Sequence, residues 1–132
     1  MITRETDYAM RLLRALCDGE RRTVSELAEK ELVPQPFAYK ILKKLGKAGF
    51  IQVIRGAEGG YRLTADLERV SLYDLMHAMD ENCFMNSCMD PEYVCPWRGR
   101  NGECGIHCHL IEIQGKLNDE LRSHSLAELF RK

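Results

Sequence analysis

Apolar residues recur near the start of the chain in steps of three and four. Ala9, Leu12, Leu13, Leu16 and Cys17 form one stripe, which predicts an amphipathic helix ending near Gly19. On this reading Cys17 belongs to the core, because free cysteine commonly packs as a small hydrophobe. Thr23 followed by Glu26 has the form of a capping box, and Val24, Leu27 and Ala28 give a short second helix its buried side. A turn over residues 31–34 leads into a third helix. Pro36 fits its first turn, and Phe37, Ile41, Leu42 and Leu45 mark a buried face that runs up to Gly49. Helix, short helix, turn, helix is the order of a helix-turn-helix.

The pattern then changes. Residues 50–54 and 61–63 are rich in β-forming side chains, and Gly56, Gly59 and Gly60 supply the turn of a two-stranded wing. Ser71 with Asp74 opens a fourth helix whose apolar side is Leu72, Leu75, Met76 and Met79. From Asn82 to about Ile106 periodicity lapses, which predicts a long loop without structure of its own. Leu110, Ile113, Leu117 and Leu121 then form a narrow seam suited to pairing with a helix of a second subunit. Ser125 with Glu128 caps a last turn containing Leu126, Leu129 and Phe130. The predicted fold class is therefore mainly α with a small β-wing. A winged helix-turn-helix domain occupies 1–81, a cysteine-rich loop 82–105, and a dimerisation helix with a C-terminal tail 106–132.

Composition narrows the function. At 132 residues the chain holds one modest core, for which a partner subunit would be an aid. Arg4, Glu5, Asp7 and Arg11 interrupt any apolar run at the start, so neither a signal peptide nor a membrane span is expected, and the expected location is the cytoplasm. Residues 1–70 carry 13 Lys and Arg against 10 Asp and Glu, and the remainder 6 against 10. A basic first half points to a polyanion partner.

Between Leu32 and Ala57 there is no acidic residue, so Lys40, Lys43, Lys44, Lys47 and Arg55 face no counter-charge nearby in sequence. Lysines at i, i+3, i+4 and i+7 share one helix face, which by itself describes a solvated surface as well as a binding one. The preceding short helix and the following wing favour double-stranded DNA. Tyr39 and Lys40, near the start of the helix, are placed for base edges; Lys43, Lys44 and Lys47 for phosphates; Arg55 for the minor groove.

Of the six cysteines, five crowd into residues 83–108, spaced Cys83-x4-Cys88-x6-Cys95-x8-Cys104-x3-Cys108. In a reducing compartment such crowding favours metal or redox chemistry over crosslinks. No pair has the C-x2-C spacing of a zinc ribbon, and wide, uneven spacing suits an iron-sulfur cluster, which takes soft ligands from several directions. Cys104 and His107 stand at the entry to the long helix, with Cys88 and Cys95 able to fold over them and Cys83 and Cys108 as alternates. His109 reads as a solvent-facing helix residue. Structural zinc and a thiol-disulfide switch stay open as alternatives, as does an electron carrier, which would need neither the wing nor the lysine face. No nucleophile-base set, phosphate-cradling glycine loop or carboxylate pair stands out, so no enzyme is expected.

The stretch TDYAMR near the start, the wing sequence IRGAEGGYRLT and three cysteines ahead of a long helix resemble the IscR/NsrR superfamily of winged-helix iron-sulfur regulators. The resemblance spans essentially the whole chain. It implies a homodimeric transcriptional repressor joined through the long helix, with two winged helices on a pseudo-palindromic site and a 2Fe-2S or 4Fe-4S cluster held by three loop cysteines. By position Cys88, Cys95 and Cys104 match that triad. His107 matches the histidine after the last cysteine in the iron-sulfur biogenesis regulators. Asp7 matches the aspartate that, in nitric-oxide-sensing members, reaches across from the partner subunit. The chain departs from the pattern in three ways: a longer gap between Cys95 and Cys104, two extra cysteines, and Tyr39-Lys40 where members often carry Glu-Gln, which implies a different operator.

Overall fold

The computed structural model describes residues 2–79 and 82–131. Helix α1 (Arg4–Ala15) is opened by Thr3, whose hydroxyl accepts the Thr6 N–H at 3.2 Å. It stops at Ala15, with Leu16 as its C-cap, earlier than the apolar stripe predicts. Leu16 stays in the core, but Cys17 falls in the following turn and is exposed, so the sequence reading of Cys17 as a core residue is corrected. A helical period no longer places side chains once the backbone has left the helix.

Helix α2 (Val24–Glu31) begins as expected, with the Thr23 hydroxyl accepting the Glu26 N–H at 3.2 Å. Its last residue, Glu31, is buried and pairs with Arg14 of α1 at 2.5 Å. Leu32 then takes a left-handed conformation (φ 54°), which ends the helix and turns the chain toward α3 (Gln35–Lys47). Ala38, Ile41, Leu42 and Leu45 face inward against α1, α2 and α4 (Leu72–Met79). Phe37, expected in that face, is 46% exposed and leans on Tyr8 with ring centroids 6.1 Å apart. Ala38, one turn before Ile41 and Leu42, holds the inward position instead.

Strands β1 (Ile51–Ile54) and β2 (Gly60–Leu63) pair antiparallel, Ile51 opposite Leu63 and Ile54 opposite Gly60. The wing is stitched to the segment before α2: the Arg22 N–H donates to the Tyr61 carbonyl at 3.0 Å, and the Tyr61 N–H to the Arg22 carbonyl at 2.8 Å. Gly60 sits at φ +152°, and a Cβ there would lie 2.7 Å from the Arg22 carbonyl oxygen. Gly60→Ala is therefore expected to force this stitch apart and lower stability by about 1–3 kcal/mol. An unchanged urea midpoint would show that the wing can shift to admit the methyl group.

Ser71 and Asp74 cap α4 reciprocally: the Ser71 N–H donates to the Asp74 carboxylate at 2.9 Å and the Asp74 N–H to Ser71 Oγ at 3.2 Å. Leu72, Leu75, Met76 and Met79 are all buried, as their spacing predicts. The following segment is not structureless. It holds a single 3-10 turn (Ser87–Met89) and helix α5 (Pro96–Asn101), which buries none of its residues and so leaves no apolar period to read.

Helix α6 (Gly105–Ser123) packs on α4, and α7 (Leu126–Phe130) folds back so that the Leu126 N–H reaches the Val70 carbonyl at 2.8 Å. In the expected seam Leu110, Leu117 and Leu121 are half-buried and Ile113 is exposed. Gln114 is the one buried residue of α6, and Ile106 and Ile111 are exposed along with Ile113, so this chain alone leaves the helix an apolar face. Among the described residues no helix is long and apolar enough to cross a membrane.

Candidate nucleic-acid interface and metal centre

The basic face of α3 is less bare than the sequence around it suggests. Glu5, brought up by α1, places one carboxylate oxygen 2.6 Å from Lys40 Nζ and the other 2.5 Å from Lys44 Nζ. The expectation that the lysines face no counter-charge holds along the chain and fails in space for Lys40 and Lys44. Hydrogen bonds from Lys40 and then Lys44 hold the Glu5 carboxyl below the ordinary glutamate range, against a smaller opposing effect of burial. Lys44 Nζ also donates to the Met79 carbonyl at 3.2 Å, joining α3 to the end of α4.

Lys43, Lys47 and Arg55 are exposed and have no ion pair among the described residues. Tyr39, also exposed, lines a cleft of about 410 Å³ with Lys40, Lys43, Val53 and Tyr61, between α3 and the wing. Burial pushes the Tyr61 phenol up, so it remains a hydroxyl at neutral pH. Arg21, which the sequence reading passed over, fixes the wing turn by donating to the Gly59 carbonyl at 2.6 Å.

Twenty-five residues beyond α4, a second arrangement forms at the start of α6. Cys104 is the N-cap residue of α6 and Cys95 that of α5, and neither thiol is used as a cap. Cys88 sits in the 3-10 turn, whose N-cap Asn86 accepts the Cys88 N–H at 3.4 Å. Cys88, Cys95, Cys104 and His107 line one cavity of about 580 Å³, walled by Tyr93, Trp97 and Ile106. Cys83 instead packs half-buried against the core, Cys108 is exposed on α6, and His109 is exposed as expected. Asp7 is not in this cavity: it is ion-paired with Arg11 at 3.1 Å and lines a separate cleft with Met10 and Arg14.

Arg98 was not anticipated either. Its Nη1 lies 3.3 Å from His107 Nε2, and because a guanidinium can only donate, Nε2 accepts and the ring proton sits on Nδ1. Nδ1 is buried without a hydrogen-bond partner, a cost of about 1–3 kcal/mol in an apolar setting. Among the described residues no three His, Cys, Asp or Glu side chains converge closely enough to hold a single ion. The three thiols and the imidazole line one cavity and do not converge on a point. Soft donors lining an apolar-walled space fit a multi-iron group.

A winged helix-turn-helix followed by a long, apolar-faced helix is the build of a DNA-binding regulator. The chain belongs to the Rrf2 family: the model of that family, described as an iron-dependent transcriptional regulator, matches residues 2–132. The family's members are regulators and not enzymes. Protein aau3 of Rhizobium meliloti strain 1021 is 27% identical over 133 residues, covering 98% of this chain and 84% of the relative. A putative HTH-type transcriptional regulator of Aquifex aeolicus is 23% identical, covering 92% and 85%. Among solved structures, CymR (YrzC), the global cysteine regulator of B. subtilis, superposes with a TM-score of 0.75 at 19% identity, covering 98% of this chain and 95% of that one. T. potens IscR superposes with a TM-score of 0.70 at 17% identity, covering 98% and 85%.

Proposed function

We propose that this regulator is a homodimeric repressor whose affinity for its operator is set by an iron-sulfur cluster held by Cys88, Cys95 and Cys104. The observation that carries the reading is the shared cavity of these three thiols and His107 at the foot of α6. His107 is the preferred fourth ligand because it already lines that cavity and has only to release Arg98 from Nε2, whereas Asp7 would have to give up Arg11 and come from the partner subunit. When bound, such a cluster supplies iron that changes oxidation state and reacts with oxidants or nitric oxide.

Two sets of hydrogen bonds support coupling between this site and the DNA reader. Gln114 of α6 accepts the Met85 N–H at 2.8 Å, donates to the Cys83 carbonyl at 3.5 Å and is braced by Asn118 at 2.9 Å, so the cysteine segment is tied to α6. Lys44 ties the reading helix to Met79, just ahead of that segment. The apolar face of α6 is the dimer surface in this reading, and its movement alters the spacing of two reading helices. Tyr39 and Lys40 read base edges, Lys43, Lys44 and Lys47 meet phosphates, and Arg55 enters the minor groove.

Anaerobic purification with iron and sulfide assays, followed by operator binding before and after chelation, tests the whole scheme. Operator affinities that differ between the two states support it, and equal affinities refute the coupling, since linkage requires the difference. Colourless protein holding zinc would replace the cluster with a structural metal. Lys43→Ala is expected to weaken binding to all duplexes alike and flatten the log–log salt slope by about 0.9, one phosphate contact. An unchanged slope would take Lys43 off the DNA.

A further inference from the structure

The reading helix presents four lysines, yet the fold treats them as two pairs. Lys43 and Lys47 project free of any ion pair among the described residues, while Lys40 and Lys44 share the two oxygens of Glu5. Lysines at i and i+4 lie one turn apart on a helix, a spacing a single carboxylate can bridge. To meet a phosphate, Lys40 must leave one acceptor. Lys44 must leave two, Glu5 and the Met79 carbonyl, and is the less exposed of the pair. The three charges together present one net positive charge to a duplex where two bare lysines would present two.

Given the DNA-binding reading above, we propose that Glu5 is a specificity-determining residue: it occupies Lys40 and Lys44 as a DNA phosphate would and so suppresses binding to duplex of arbitrary sequence. Binding to arbitrary sequence draws almost wholly on phosphate neutralisation and counterion release, so occupied lysines subtract from it directly. An operator adds base contacts that offset the loss of the Glu5 pair and free Lys40, the lysine nearer the start of α3, to take part in them. Glu5 thus widens the gap between operator and bulk DNA.

Salt-dependent binding of a mixed-sequence duplex to the intact chain and to Glu5→Gln provides the test. The variant is expected to bind more tightly at low salt, with a log–log slope steeper by about 0.9 per protomer, the one charge that Glu5 cancels. Its preference for a duplex selected from a random pool over the mixed one should fall. Lys40→Met should flatten the mixed-duplex slope less beside native Glu5 than in the Glu5→Gln background. Glu5→Ala supplies a second background should Glu5→Gln fold poorly, and equal flattening by Lys40→Met in the native and the Glu5-substituted backgrounds overturns the proposal. A Glu5→Gln slope that is unchanged, while the intact chain binds duplex, also overturns it and leaves the DNA reading standing. Failure of both proteins to bind any duplex at low salt removes the DNA reading and the role of Glu5 with it.

Discussion

Cys95→Ala is expected to yield a folded protein that lacks the visible absorbance, iron and sulfide of the anaerobically purified native chain. The fold should survive because Cys95 makes no capping hydrogen bond and begins a helix that buries none of its residues. The cofactor should not, because removing one of three thiols that line the cavity leaves too few soft donors around it. Cys88→Ala and Cys104→Ala should behave alike. Cys83→Ala and Cys108→Ala should keep their iron, since one side chain packs against the core and the other is exposed away from the cavity lining. Full iron content in Cys95→Ala together with loss in Cys83→Ala would move the site to a different set of cysteines.

Leu45→Ala carries the largest expected cost in stability, about 2–5 kcal/mol, from lost burial and the cavity left behind. Leu45 is fully buried on α3, where that helix meets α1, α2 and α4. Phe37→Ala, from the same predicted stripe, should cost much less, since Phe37 is nearly half exposed and its recorded ring contact is Tyr8. Urea unfolding of the two variants checks the contrast. Equal losses would mean that Phe37 is buried in solution, for instance by a second subunit.

The contrast also shows what was legible in the sequence. Caps were readable because their chemistry is local: Thr23 with Glu26, Ser71 with Asp74 and Ser125 with Glu128 all form within one turn. The wing was readable from its glycines, although not the reason for Gly60, which is the backbone of Arg22 passing close by from another part of the chain. Periodicity failed at its margins, at Cys17 where the helix had already ended and at Phe37 on the edge of the stripe. It failed wholly at α5, a helix without a buried side.

For the site, the cysteines announced themselves by their crowding, and the structure gathers Cys88, Cys95 and Cys104 with His107 while leaving Cys83 and Cys108 outside the cavity lining. Glu5, Arg98 and Gln114 were invisible for a common reason. Glu5 meets its lysines across 35 and 39 residues, and Gln114 meets Met85 across 29, so no local pattern ties the partners together. Arg98 is only nine residues from His107, but the turn between two helices that brings them together has no apolar signature.

The Gln114 amide has a consequence for how the molecule opens. Between residues 82 and 104 Met89 is the one buried residue among those described, so few apolar contacts hold this segment down. Its hydrogen bonds to α6 are made through side chains, those of Gln114 to Met85 and the Cys83 carbonyl and that of Arg98 to His107. The segment is thus built to open as a local unit, at a free energy well below that of global unfolding, while the reading helix and wing stay folded. In hydrogen exchange its amides would lose protection first, giving small oxidants and metal donors access to the thiols without dismantling the domain that holds the DNA.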